Sequence, residues 1–175
     1  MQNQINRVLL GQYEAAISML RDAIASCPPA QWDANVARLP ARVVAFHTLY
    51  WTDVYLSRSR EACVPHELGA QGRGVPFGTP LPEGTLPPGL TQAQSLAYAD
   101  FCIEKARRVL GAETEADLAG DSGFGEPFTR AEMHIYNIRH VQHHAGALGA
   151  HIRRLAPDFP EEGLGWVSSG VWRGE

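Results

Sequence analysis

Residues 129–155 read TRAEMHIYNIRHVQHHAGALGAHIRRL, and this stretch decides the fold. Thr129 and Glu132 have the spacing of a capping box, in which the threonine oxygen accepts from the Glu132 backbone and the glutamate reaches back. Pro127 lies just upstream and Pro157 just beyond the end. Between them Met133, Tyr136, His140, His144, Ala147, Leu148, His151, Ile152 and Leu155 recur at three- and four-residue spacing. That period marks one face of a long helix. An amphipathic helix of this kind belongs with others around a single core.

Those helices lie upstream. Residues 3–25 carry Ile5, Leu9, Tyr13, Ala16, Ile17, Leu20 and Ile24 on one stripe, which Cys27-Pro28-Pro29 ends. Residues 41–59 carry Val43, Val44, Phe46, Leu49, Tyr50, Trp51, Val54 and Leu56, a stripe broad enough for a deeply buried helix. Residues 91–111 carry Leu96, Ala99, Ile103, Ala106 and Leu110, with Thr91 as N-cap and Gly111 where a terminating glycine is expected. No strand pair stands out. Four amphipathic helices around one core predict an all-α four-helix bundle, a single domain over residues 1–175.

The glycine and proline content first argues otherwise. The chain has 17 glycines and 12 prolines, above the roughly 12% of average usage. Twelve of these 29 residues fall within 65–89, so the surplus is local and leaves the helices intact. The sequence therefore predicts a long irregular loop over 65–89, between helices two and three, as a candidate wall or lid. The tail, 156–175, holds Trp166 and Trp172 and is expected to pack on the body.

Composition excludes several functions. Fifteen Lys+Arg against 19 Asp+Glu give a net charge of −4, with no basic stripe, so nucleic acid is not an expected partner. No apolar run is long enough to span a membrane, and the first 20 residues lack the pattern of a secretory leader. Three widely spaced cysteines, Cys27, Cys63 and Cys102, suit free thiols in a reducing cytoplasm.

The chemistry lies in the histidines. His140 and His144 stand one turn apart on the stripe of the last helix, where two imidazoles can chelate one ion. His47 lies on the apolar face of helix two. Three inward imidazoles from two helices are hard to explain as core, because each buried ring needs polar partners. They would leave a coordination position open, as catalytic sites do. His143 falls beside the stripe, and reads as a surface residue, a neighbour of the ligands or an alternative ligand. His151 is expected deep in the core or at the bundle end, and His66 and His134 in solvent. A zinc-protease helix is excluded, since Val141 rather than glutamate follows His140. A di-iron bundle is excluded too, because no Glu-x-x-His occurs.

One histidine on helix two with a His-x3-His pair on the last long helix resembles the DinB-like superfamily. Residues 43–51, VVAFHTLYW, and 139–148, RHVQHHAGAL, carry the likeness, which extends over roughly residues 1–155. Family members often place an arginine and a glutamine around the glycine after the last histidine; here Ala145 and Ala147 stand there. The resemblance implies a mononuclear divalent-metal site of His47, His140 and His144, with zinc or nickel as the ion. It implies thiol-dependent S-transferase or isomerase-like chemistry on a small electrophile, with a low-molecular-weight thiol as co-substrate. A metal-dependent hydrolase and a non-catalytic metal-binding or dimerising protein are the alternatives. Tyr50 and His143 are weak candidates to carry a proton, and a homodimer is common among look-alikes.

Overall fold

The computed structural model describes residues 4–76, 78–125 and 127–155. Helix α1 is Gln4–Ser26. A 3-10 turn, Pro29–Gln31, follows it, and then strands β1 (Asn35–Val36) and β2 (Leu39–Pro40). These strands form a two-residue antiparallel pair, turned at Ala37 with a positive φ of 58°. Two residues are too few for an alternating pattern, so the pair leaves no mark in the sequence. Helix α2 is Ala41–Tyr55, α3 Glu67–Arg73, α4 Gln92–Ala112, α5 Glu115–Ala119 and α6 Arg130–Leu155.

α1 packs on α4 and α6, and α2 packs on the same two helices. The four long helices thus close a ring around a core, the bundle that the sequence predicts. α1 buries Leu9, Tyr13, Ala16, Ile17, Leu20 and Ile24 as expected, whereas Ile5 is exposed. Asn6 turns inward instead, and its amide donates to the Leu110 and Glu113 carbonyls, both at 2.7 Å. It thereby satisfies carbonyls that the end of α4 leaves open. The capping boxes Thr91–Gln94 and Thr129–Glu132 both form. No helix among the described residues is long and apolar enough to cross a membrane.

Three expected boundaries move. α2 ends at Tyr55 rather than 59, where a side chain from α6 takes up its last carbonyls. α4 continues through Gly111 to Ala112, and the chain leaves it at Glu113 in an extended conformation. Residues 65–89 are not irregular throughout, since α3 lies inside them. Its glycines allow close packing rather than breaking the helix. A Cβ on Gly72 would overlap the Phe46 ring of α2. Gly74 then ends α3 with a φ of 70°, the left-handed stop that glycine adopts without cost.

α6 is rotated slightly from its expected setting. The buried line is Met133, Asn137, Val141, Ala145, Leu148 and Ile152, with Arg130, His134 and His151 beside it. Tyr136 is exposed, and His140 and His144 are half-buried. The pair therefore does not point into the bundle centre. It lies on the flank of the stripe, at the seam with α2. The small and polar residues Asn137 and Ala145 hid the true line, because periodicity weighs large apolar residues most. The predicted packing of Trp166 and Trp172 concerns residues outside those described.

Candidate metal centre

The α2–α6 seam is where the histidines meet. On α2, Val43, Val44, Phe46, Leu49 and Tyr50 are buried, which fixes the helix rotation and leaves His47 half-buried at its edge. On α6, burial of Val141, Ala145 and Leu148 sets His140 and His144 one turn apart on the facing edge. Ring centroids stand 5.3 Å apart for His47 and His140, 5.2 Å for His47 and His144, and 4.8 Å for His140 and His144. One nitrogen from each ring lies within 4.8 Å of the other two. Among the described residues this is the one group of three or more His, Cys, Asp or Glu side chains close enough to hold a metal ion.

The donor set fits a divalent ion. Nitrogens held about 2.0–2.1 Å from a tetrahedral zinc stand roughly 3.3 Å apart. The Nε2 atoms of His47 and His140 are 3.3 Å apart. Burial, followed by the neighbouring imidazoles, pulls His140 down to about 3 and His144 down to about 4. Burial also lowers His47. The three rings are therefore neutral at ordinary pH, which is the form that binds metal. His140 Nδ1 is buried without a hydrogen-bond partner, so no carboxylate orients that ring from behind.

Aromatic side chains wall one side. Tyr55 stacks on Trp51 with centroids 5.3 Å apart, and meets His140 edge-on at 6.4 Å. Trp51 in turn lies 6.5 Å from His47. A hollow of about 520 Å³ opens beside His140, lined also by Tyr136, Arg139, Gln142 and His143. A second of about 220 Å³ lies along α2, lined by Tyr50, Trp51 and residues of the 65–89 segment. A larger hollow, about 1280 Å³, runs between the start of α1, the end of α4 and the first turns of α6. None of the three histidines lines it, so its size does not make it the site.

The other expected residues take various places. His143 is exposed, its ring 5.0 Å from that of His144. The Tyr50 hydroxyl accepts from Arg73 Nη1 at 3.3 Å, and burial raises its pKa, so the phenol stays protonated. Asp53 points to the core, away from the histidines. It accepts from Lys105 Nζ at 2.5 Å, the Tyr98 hydroxyl at 2.8 Å and the His66 backbone at 2.9 Å. His151 is buried as expected and contacts Arg154.

Two expectations fail. His134 is not in solvent but fully buried: Nδ1 faces the Tyr13 hydroxyl at 3.1 Å and Nε2 faces Glu113 at 2.8 Å. His66 is half-buried, capping α3 through Leu68 N and packing its ring on Phe101. Sequence reading also missed Arg130, which is fully buried and joins Glu113 to the end of α2. The available signal was the spacing 130, 134, 137, 141, which continues the buried line of α6 back to its first turn.

The profile of the DinB superfamily matches residues 12–148, which include all three clustered histidines. No curated protein and no solved structure matches the chain. The match covers most of the sequence, and the chain belongs to the DinB superfamily.

Proposed function

We propose that this member of the DinB superfamily is a mononuclear metalloenzyme in which His47, His140 and His144 hold one divalent ion, zinc or nickel. Its reaction is transfer of a low-molecular-weight thiol, or an isomerisation that uses one, on a small electrophile. The observation that carries the reading is the convergence of three neutral imidazoles within 4.8 Å on the α2–α6 seam, with a hollow opening beside His140. A divalent ion held by His47, His140 and His144 would lower the pKa of a thiol or water and so would supply an anionic nucleophile near neutral pH.

The chain's own residues do the rest. The α2 and α6 backbones hold the imidazoles, and Trp51 and Tyr55 keep bulk water from one side. His143, exposed and next to His144, is placed to exchange a proton with solvent; Tyr50 is the other candidate. Three free cysteines, all buried, are in keeping with a cytoplasmic protein.

The test begins with elemental analysis of protein purified without chelators, where about one ion per chain is expected. Zinc- and nickel-loaded samples are then offered a small electrophile with and without added thiol, and an ester without thiol. Turnover that requires the thiol supports the proposal. Ester hydrolysis without thiol points to a hydrolase, and an inert metal-loaded protein to a binding or dimerising role. Absence of metal overturns both enzymatic readings and the metal-binding one.

A further inference from the structure

The 220 Å³ hollow beside Trp51 has a chemical character that the histidine cluster lacks. Its described lining contains two guanidinium groups, Arg60 and Arg73, and no acidic side chain. Arg73 is held by two residues, Tyr50 and Thr79. It donates to the Tyr50 hydroxyl and to the Thr79 carbonyl, and its guanidinium carbon lies 5.3 Å from the centre of the Tyr50 ring. Its Nε is buried with no acceptor, so donor capacity remains. A guanidinium fixed in this way loses little freedom when it binds a planar anion, and its fork matches a carboxylate.

Position supplies the second half of the argument. Trp51 and Val54 follow His47 by four and seven residues, so the hollow runs along the same face of α2 as the metal ligand. One to two helical turns separate them, about 5–10 Å. The volume is below the roughly 300 Å³ of a whole-ligand pocket, and suits one end of a molecule whose other end reaches His47. Arg139, at the hollow beside His140, is a single exposed cation and lacks such fixing.

We infer that Arg60 and Arg73 form a carboxylate subsite, and that the thiol used at the His47–His140–His144 centre carries a carboxylate one to two helical turns from its sulfur. The inference rests on the metal–thiol reading above. It also gives the 65–89 segment a task, since Arg73 and Thr79 bring half of the subsite to α2.

The test uses zinc-loaded full-length protein and two probes, 6-mercaptohexanoate and its methyl ester, with binding followed by calorimetry. Hexanoate, which has no sulfur, is titrated separately while the Arg73 Nε–H signal is followed by NMR. The acid thiol is expected to bind at least tenfold more tightly than the ester. Arg60→Gln, an exposed change that leaves the Arg73 contacts intact, is expected to reduce that preference about threefold, and the Arg60→Gln/Arg73→Gln pair to abolish it at unchanged zinc content. Equal binding of acid and ester by the wild-type protein would overturn the subsite while leaving the metal–thiol reading in place. If neither thiol binds but hexanoate still shifts the Arg73 signal, the subsite stands and the thiol reading falls.

Discussion

Replacing Arg130 with methionine should cost the protein about 3 kcal/mol. Only 1% of the Arg130 side chain is exposed, and 9% of its partner Glu113. Its Nε donates to Glu113 at 2.8 Å, Nη1 to the Tyr55 and Ser57 carbonyls at 2.9 Å, and Nη2 to the Leu56 carbonyl at 3.1 Å. Methionine fills much of the space but donates nothing. Breaking a buried ion pair from one side costs about 3–5 kcal/mol, because the other charge stays behind. Two groups soften the loss here: His134 still contacts Glu113 at 2.8 Å, and Arg58 stands 3.8 Å from it. The lower end of the range therefore applies. For a chain of this length that is a fall in Tm on the order of 10 °C. Urea unfolding followed by circular dichroism measures it, with Glu113→Gln made alone and in the Arg130→Met background. The double variant should lose at least about 1 kcal/mol less than the sum of the singles, since the glutamine removes the stranded charge. A loss below about 1 kcal/mol for Arg130→Met would refute the reasoning, because it is what an exposed ion pair gives.

Other outcomes follow from the same structure. His140→Ala and His144→Ala should each lose bound metal yet keep helical circular dichroism; unchanged metal content in both would mean that the ligands are misassigned. Acid should weaken the fold through the Glu113–His134 pair. Although burial pushes Glu113 up, the His134 hydrogen bond and the Arg130 charge together hold its carboxyl below the ordinary 4.5. Its contribution is thus complete above 4.5 and disappears as pH falls through the folded value. Burial holds His134 below 6.5, so its cost on acidification begins higher and adds to the same slope. Unfolding free energy measured between pH 7 and 3 should fall less steeply in Glu113→Gln. Gly72→Ala should destabilise by about 1–3 kcal/mol, since its methyl group meets the Phe46 ring, and a neutral result would show that α3 does not press on α2. Removing residues 76–86 should leave helix content and metal intact while altering which electrophiles are used, and loss of the metal would show that the segment supports the ligands instead.

What could be read from the sequence was what periodicity and capping encode. The stripes of α1 and α4, the N-cap at Thr91 and the capping box at Thr129 are local signals, and each element took its place accordingly. His140 and His144 were found because metal chelation has a fixed helical spacing. Their setting on the seam was harder to read, because Asn137 and Ala145 mark the core line with a polar and a small residue. His134 and Arg130 were misjudged for a related reason. A charged or titratable residue is assumed to face water unless a partner is known, and their partner Glu113 is 21 and 17 residues away in sequence. The glycines of α3 misled in the opposite sense. Sequence reading counted them as breakers, whereas Gly72 serves a contact with Phe46 that only the tertiary structure shows.

The seam location of the centre has a consequence for how the protein is made. His47 and His140 are 93 residues apart, and the site exists only where their helices touch. A growing chain passes through the synthesis of α1, α2 and α4 with a single one of the three imidazoles available. An ion would therefore have nothing to template during those stages, and the apolar stripes must find one another unaided. Only when α6 docks does a pocket for metal come into being. If the proposed centre holds an ion, loading would close biogenesis rather than seed it, and stripping the ion should leave the bundle folded.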